Sequence, residues 1–254
     1  MKMKNISYIL IFLFGTLVFA QNHQLFDEAN ALYNEANYTE ALVKYKTILD
    51  SGEHSAELYF NMANAHYKLN HIAPSIFYYE KALLLKPNDK DIQNNIAFAR
   101  NMTVDAIDAV PEVGISKLIK NVTNTMSFDG WAKAAVIFVV FFVILFIVYY
   151  FTYSTSKKRF AFVTSNVSLL LAIVALVFAF HKFKLVEKDQ PAIVFAQETK
   201  IKSEPNLRSA EAFVLHEGTK VQVLDTVSNW KKIKLSDGKT GWVLDDDIKM
   251  LKTF

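Results

Sequence analysis

The chain has 254 residues, 52% hydrophobic and 14% aromatic, with a mean hydropathy of +0.16 and a formal charge of +3. That length suits about two domains, and basic residues interleaved with acids argue against nucleic acid as a partner. The absence of cysteine excludes disulfides, thiolate metal sites, cysteine catalysis and a lipoprotein anchor.

Residues 1–20 read as a signal peptide. Lys2 and Lys4 form a positive start, Ile6–Phe19 an apolar stretch, and Val18-Phe19-Ala20 resembles a cleavage site. Retention as an uncleaved anchor is the alternative. Either outcome sends residue 21 to the outer side of a membrane.

From residue 21 to 103 the sequence matches itself on a shift of 34 residues. Asn30-Ala31 aligns with Asn64-Ala65, Tyr33 with Tyr67, Tyr45 with Tyr79, Ala41 with Ser75 and Leu49 with Leu83. This is the tetratricopeptide (TPR) period, one helix–turn–helix per repeat. The unit Leu58–Pro87 resembles the TPR consensus at Tyr59, Met62, Ala63, Tyr67, Ser75, Tyr79, Ala82 and Pro87. Pro74 suits a helix start, where its missing N–H costs nothing. The first unit is weaker, with Leu25 and Leu32 at consensus aromatic positions. Asp91–Met102 follows Pro87-Asn88-Asp89 and reads as a lone helix capping the solenoid. Two repeats plus a cap make a small array, whose stability is expected to depend on a partner or the membrane.

The first helix of each repeat lines the concave face. The expected lining is Phe26, Asn30, Tyr33, Phe60, Asn64, Tyr67, Lys68, Asn94 and Phe98. In TPR proteins that hold extended peptides, asparagines at the Asn30 and Asn64 positions bond the ligand backbone, since an amide both donates and accepts. The alternative is that both are consensus residues without a ligand. Lys68 alone does not supply a carboxylate clamp.

Residues 104–130 form a connector. Ile115, Leu118, Ile119 and Val122 recur at helical spacing. Both an interfacial amphipathic helix and a packed extension of the solenoid fit.

Two apolar runs follow, each long enough to span a bilayer. Transmembrane helices are expected over 131–156 and 160–180, with Lys157, Lys158 and Arg159 as a cytoplasmic turn by the positive-inside rule. Asp129 suits a helix cap; Trp131 and Tyr149, Tyr150 and Tyr153 suit the two interfaces. Thr164, Ser165, Asn166 and Ser168 form a polar face that packs on the first span or on another protein. An ion path is disfavoured, because neither span interior carries an ionisable residue.

Residues 181–254 form the last domain, with period-two patterning from about residue 190. Val221 and Val223 alternate with Lys220 and Gln222, and Asp237-Gly238 marks a hairpin. Short strands in this space fit an SH3-like barrel. The order Ala192-Ile193-Val194, Leu207-Arg208-Ser209, Leu215–Thr219, Val221–Leu224, Asn229–Ile233, Asp237-Gly238 and Gly241-Trp242-Val243 resembles the bacterial SH3 family. Lys202–Arg208 departs from its pattern, so that loop is expected to be reshaped. Members of that family often bind cell-wall peptides, so the resemblance makes Trp230 and Trp242 candidate peptide contacts. Trp230 shares parity with Lys232 and Lys234, so it lies at a bulge, on the surface, or as a core or rim tryptophan.

Catalysis is not indicated. The histidines His23, His54, His66, His71, His181 and His216 have no metal-ligand spacing, and no phosphate-binding or nucleophile motif is present. Asp245-Asp246-Asp247 reads as a solvated turn rather than a cation site. No enzyme activity, cofactor or metal is expected.

The expected fold is multi-domain: an all-α TPR solenoid, a two-helix transmembrane hairpin and an all-β SH3-like barrel. This order, with Asp129-Gly130-Trp131-Ala132 entering the first span, resembles the E-type proteins of the Bacteroides aerotolerance (Bat) operon. The resemblance implies an inner-membrane protein facing the periplasm with a role in envelope stress tolerance. It also implies von Willebrand A-type membrane proteins as partners and, across the membrane, a MoxR-type AAA+ ATPase.

Overall fold

A computed structural model describes residues 21–107, 110 and 114–252; the signal-peptide reading of residues 1–20 lies outside them. The chain divides into two compact units. Among the described residues, one holds 21–107 and 190–252, the other 110 and 114–189.

The first unit begins with helices α1 (21–34), α2 (Tyr38–Asp50), α3 (Ala56–Lys68), α4 (Ile72–Leu85) and α5 (Lys90–Arg100). Starts and stops follow local chemistry. Ser55 caps α3 by accepting from the Leu58 N–H, and Asp89 caps α5 by accepting from Asp91 and Ile92. The turns inside the two repeats are copies of each other. Ala36 and Asn70 take positive φ, +62° and +60°. The next residues, Asn37 and His71, donate back to the carbonyls of Leu32 and His66 at 2.8 and 2.9 Å. That six-residue closure around a left-handed residue is a Schellman ending. Pro74 falls in the first turn of α4, where no intrahelical donor is lost.

Small residues Ala63 and Ala82 are fully buried and let α3 and α4 approach. Tyr59 and Tyr79 share a core cluster with them, and Tyr45 holds the equivalent place in the first repeat's cluster with Ala29 and Ala41; these three are the largest buried side chains. Ser75, at the repeat position of Ala41, spends its hydroxyl on the Ala63 carbonyl at 3.1 Å.

The same unit ends in seven short strands: β1 (Pro191–Val194), β2 (Glu198–Lys202), β3 (Glu211–His216), β4 (Lys220–Val227), β5 (Trp230–Lys234), β6 (Thr240–Leu244) and β7 (Ile248–Met250). They form one antiparallel sheet in the order β3-β2-β6-β5-β4-β1-β7. Val194, Ile201, Leu215, Val221, Ile233 and Val243 build its core. Gly241 sits inside β6, not in a turn: a Cβ there would meet Ile201 at 2.4 Å, so only glycine permits this strand approach. The acidic run Asp245–Asp247 is a 3-10 turn whose Asp247 carboxylate accepts from the Thr199 hydroxyl at 2.5 Å. Its role there is structural.

The helices and the sheet share a core. Ile193 of β1 and Leu251 lie in one cluster with Tyr59, Ile76, Phe77, Ile92 and Ile96. Phe195 meets Phe77 edge-on at 5.5 Å, and Lys249 lies 4.2 Å from the Phe195 ring centre. Glu80, whose side chain is 6% exposed, bonds Arg100 at 2.6 Å and Lys220 at 2.7 Å. Asp105 accepts from the His216 backbone N–H, its ring Nδ1 and the Thr219 hydroxyl, at 2.7, 2.8 and 2.6 Å. Gly218, at φ +85°, lies so close to Ile72, Ile76 and Thr103 that a Cβ would meet each at 2.9–3.0 Å. The short repeat array, expected to need outside support, takes it from the sheet of its own chain.

The second unit contains α6 (Ile115–Thr123), α7 (Phe128–Phe151) and α8 (Thr155–Lys188). Both α7 and α8 are long and apolar enough to cross a membrane. Ser127, not Asp129, caps α7 by accepting from the Gly130 N–H. The helix break lies at Thr152–Ser154, and Lys157, Lys158 and Arg159 are helical, in the first two turns of α8. This corrects the expected turn at 157–159: Lys and Arg are good helix formers, and β-branched and hydroxyl residues at 152–154 break more readily. At ~1.5 Å per residue, α8 outruns a bilayer core and continues past residue 180 to Lys188. The last domain therefore starts at β1, not at residue 181.

Ala161, Ser165, Ser168, Ala172, Ala175 and Ala179 are the buried residues of α8. Their alternating steps of four and three form a seam of small side chains against α7. Ser168 donates across it to the Phe138 carbonyl at 2.8 Å. The polar face is thus used largely within the hairpin; Asn166 is exposed and bonds the Phe162 carbonyl of its own helix. Trp131 donates to the Thr123 carbonyl at 3.1 Å and stacks edge-on with Phe178, which ties α6 to the hairpin. Leu118, Ile119 and Val122 of α6 are exposed.

Candidate functional site

A recess of about 280 Å³ opens on the concave side of the repeats, lined by Tyr33, Asn64, Tyr67, Lys68, Tyr79, Asn95 and Phe98. Its floor is a hydrogen-bond relay written twice. Asn30 Oδ1 accepts from the Tyr45 hydroxyl at 2.6 Å and from Asn61 Nδ2 at 2.8 Å. One repeat later, Asn64 Oδ1 accepts from the Tyr79 hydroxyl at 2.5 Å and from Asn95 Nδ2 at 2.9 Å. Burial pushes the Tyr45 hydroxyl up to about 12 and Tyr79 higher still. Both phenols are therefore fixed donors at any physiological pH.

This wiring narrows what the asparagines can do. An amide oxygen that already takes two donors has no lone pair left for a ligand. Asn64 can offer its Nδ2–H groups to a peptide carbonyl but cannot accept from a peptide N–H. The expected two-way amide contact is corrected to donation alone.

Of the residues expected on this face, Tyr33, Asn64, Tyr67, Lys68 and Phe98 line the recess. Asn30 holds the equivalent place one repeat earlier. Phe26 and Phe60 instead lean on Tyr45 and Tyr79, with ring centres at 5.9 and 6.0 Å and the same 58° tilt. Asn94 is exposed and does not line the recess; Asn95 does. The 34-residue phase explains the correction: Asn95 repeats Asn61, whose amide reaches back to the first helix of the preceding repeat. The signal was present as the pair Asn61 and Asn95. Phe98 is 61% exposed at the groove mouth. Lys68 is its one lining cation, and no lining residue is acidic.

In the sheet, Trp230 opens β5 opposite Val227 and Leu244 and is only 7% exposed. The register irregularity lies in β4, between Val223 and Asp225, not at Trp230. Its ring is buried and offers no free stacking face, which makes Trp230 a core tryptophan rather than a peptide contact. Trp242 is partly exposed, pairs with Lys202 and Lys232, and has the Lys232 ammonium 5.9 Å from its ring centre. The Lys202–Arg208 loop is held by Ser209 and Asn206 bonds to its own backbone. A further recess of about 330 Å³ lies between helices and sheet, but its Arg100 and Lys220 are already spent on Glu80.

A tetratricopeptide repeat model matches residues 56–89, and a bacterial SH3 domain model matches residues 198–249. No curated protein matches the chain. The chain thus carries a TPR repeat and a bacterial SH3 domain. Helices α1 and α2, outside the repeat match, reproduce its turn, its relay and its Phe–Tyr contact. Strand β1, outside the SH3 match, pairs with β4 and β7 and supplies Ile193 to the shared core.

Proposed function

We propose that this chain is a non-catalytic membrane-anchored scaffold that holds an extended segment of a partner protein in its TPR groove. The observation that carries this reading is the prearranged floor: two part-buried relays occupy the Oδ1 of Asn30 and Asn64 and leave their amide N–H groups as the donors for peptide carbonyls. Tyr33, Tyr67 and Phe98 supply aromatic walls, and Lys68 favours an acidic residue in the segment. Preorganisation matters because each side chain already ordered lowers the entropy lost on binding.

Membrane anchoring is supported by α7 and α8 and by Lys157-Lys158-Arg159 near their junction. Residues on both flanks of this hairpin belong to one compact unit. A hairpin that leaves and re-enters the same side is the topology that suits one folded unit built from both flanks. The exposed apolar residues of α6 suit an interfacial helix. With the Bat-operon resemblance, this favours a bacterial inner-membrane location, both modules periplasmic. The partners would be von Willebrand A-type membrane proteins and, indirectly, a MoxR-type AAA+ ATPase, in an aerotolerance or envelope-stress complex. A second reading, an envelope sensor of cell-wall peptides, draws on partly exposed Trp242 beside Lys232.

The test is capture of partners from native membranes by the full chain, compared with Tyr67→Ala and Lys68→Glu. Both residues line the groove without bonding the relay. Loss of the same partners from both folded variants is expected; unchanged partners would refute the groove reading. Muropeptide titration of the full chain, against Trp242→Ala, separates the sensor reading.

A further inference from the structure

At the closed end of the hairpin, Tyr149, Tyr153, Thr155, Lys158, Arg159 and Phe162 line a recess of about 460 Å³. Lys158 lies 5.1 Å from the Tyr149 ring centre, and Tyr149 packs on Phe162 at 5.4 Å. Among the described residues, no carboxylate lies within ion-pair distance of Lys157, Lys158 or Arg159. The nearest acids in sequence are Asp129 and Glu187, at the far ends of α7 and α8. At about 1.5 Å per residue, most of α7 (about 33 Å from Asp129 to Phe151) and about 42 Å of α8 (Arg159 to Glu187) separate them from the cations.

Uncompensated cations are common on water-facing surfaces, but these border an apolar hairpin. They also occupy the start of α8, where the helix dipole disfavours positive charge. A counter-charge from outside the chain would relieve both problems. Two side chains differ in how they would take it: guanidinium grips two phosphate oxygens at once, and ammonium acts as a point charge. Tyrosines at this depth present an apolar ring to acyl chains and a hydroxyl to headgroups.

We propose that this recess binds the phosphodiester of an anionic lipid headgroup, with Arg159 and Lys158 as the charged contacts and Tyr149 and Phe162 as the wall. The proposal rests on the reading that the hairpin crosses a membrane. A bound lipid would brace the helix junction at Thr152–Ser154 and fix α7 against α8 there.

The full chain, purified in detergent and reconstituted into nanodiscs of phosphatidylcholine with a fraction of phosphatidylglycerol, is assayed for lipids retained on re-extraction. Wild type should retain phosphatidylglycerol over phosphatidylcholine. A surface cation is worth about fivefold in affinity for anionic lipid, so Lys158→Gln with Arg159→Gln should weaken retention roughly 30-fold. Lys158→Arg should keep it. Equal retention of the two lipids, or by wild type and the double variant, would overturn the proposal. Displacement of the lipid by millimolar inorganic phosphate would show a free-anion site and overturn the lipid as source. Labelling of Ser156→Cys from each side of the membrane is the control. If residue 156 lies on the same side as residue 209, the spanning reading and this proposal fall together; if it lies opposite and no lipid is retained, only this proposal falls.

Discussion

Ala36 holds φ +62° in a turn that its repeat partner, Asn70, makes with a residue better suited to that region. A left-handed alanine costs about 1–2 kcal/mol. Ala36→Gly should therefore stabilise the protein by about 1 kcal/mol, partly offset by the greater freedom of glycine in the unfolded chain; a denaturant midpoint measures it. No rise would mean the turn is not strained. His66 makes a second case. Burial, then the nearby His71, lowers its pKa from 6.5 to about 4, and its ring stacks on Tyr78 at 5.5 Å and 4°. The unfolded chain takes up this proton first as pH falls. The stability tied to neutral His66 is full above pH 6.5, erodes between 6.5 and 4, and is lost below 4. His66→Phe keeps the stack and removes the proton. Its urea midpoint should fall less than that of wild type between pH 7 and pH 4.5, and parallel curves would contradict the assignment.

At the scale of elements, the relay ties α1 to α2 and α3, and α3 to α4 and α5, through amide oxygens. Asn64→Ala strands the buried Tyr79 hydroxyl, an error of about 1–3 kcal/mol. Lys68→Glu, exposed on the same helix, should change stability by less than about 0.5 kcal/mol. Thermal or urea unfolding separates the two, and equal effects would mean the relay carries no stability. Periodicity made the repeat readable, since Asn30 and Asn64, Tyr45 and Tyr79 recur at one spacing. What periodicity could not convey was direction. Asn64 looks free in the sequence because its partners Tyr79 and Asn95 lie on other helices, whereas Asn95 is told from Asn94 by the 34-residue phase that sets it at the Asn61 position. Trp230 misled by its strand parity for a related reason: burial is set by surrounding elements as well as by alternation. The basic residues at 157–159 drew the turn to themselves, although charge marks the side of a membrane and not the place where a helix breaks.

For the whole molecule, the shared core of helices and sheet was the feature least legible in advance. Asp105 and His216 are 111 positions apart, and nothing local in either segment announces the bond. Burial raises the Asp105 pKa, but bonds from Thr219 and His216 outweigh it and leave the carboxyl below its ordinary value. Gly218→Ala combines a left-handed backbone with a Cβ among Ile72, Ile76 and Thr103, so it should cost about 2 kcal/mol or more. If helices and sheet unfold as one, wild type gives a single transition and this variant a lower or split one; an unchanged transition would show that the seam carries no stability. The central claim is that one folded body, made from both ends of the chain, is anchored by a hairpin that crosses a membrane and returns. The natural absence of cysteine makes single-cysteine labelling its most direct test. In spheroplasts, an impermeant maleimide should label Asn94→Cys and Ser209→Cys without permeabilisation and Ser156→Cys only after it. Labelling of residues 94 and 209 from opposite sides, or of all three from one side, would contradict the account.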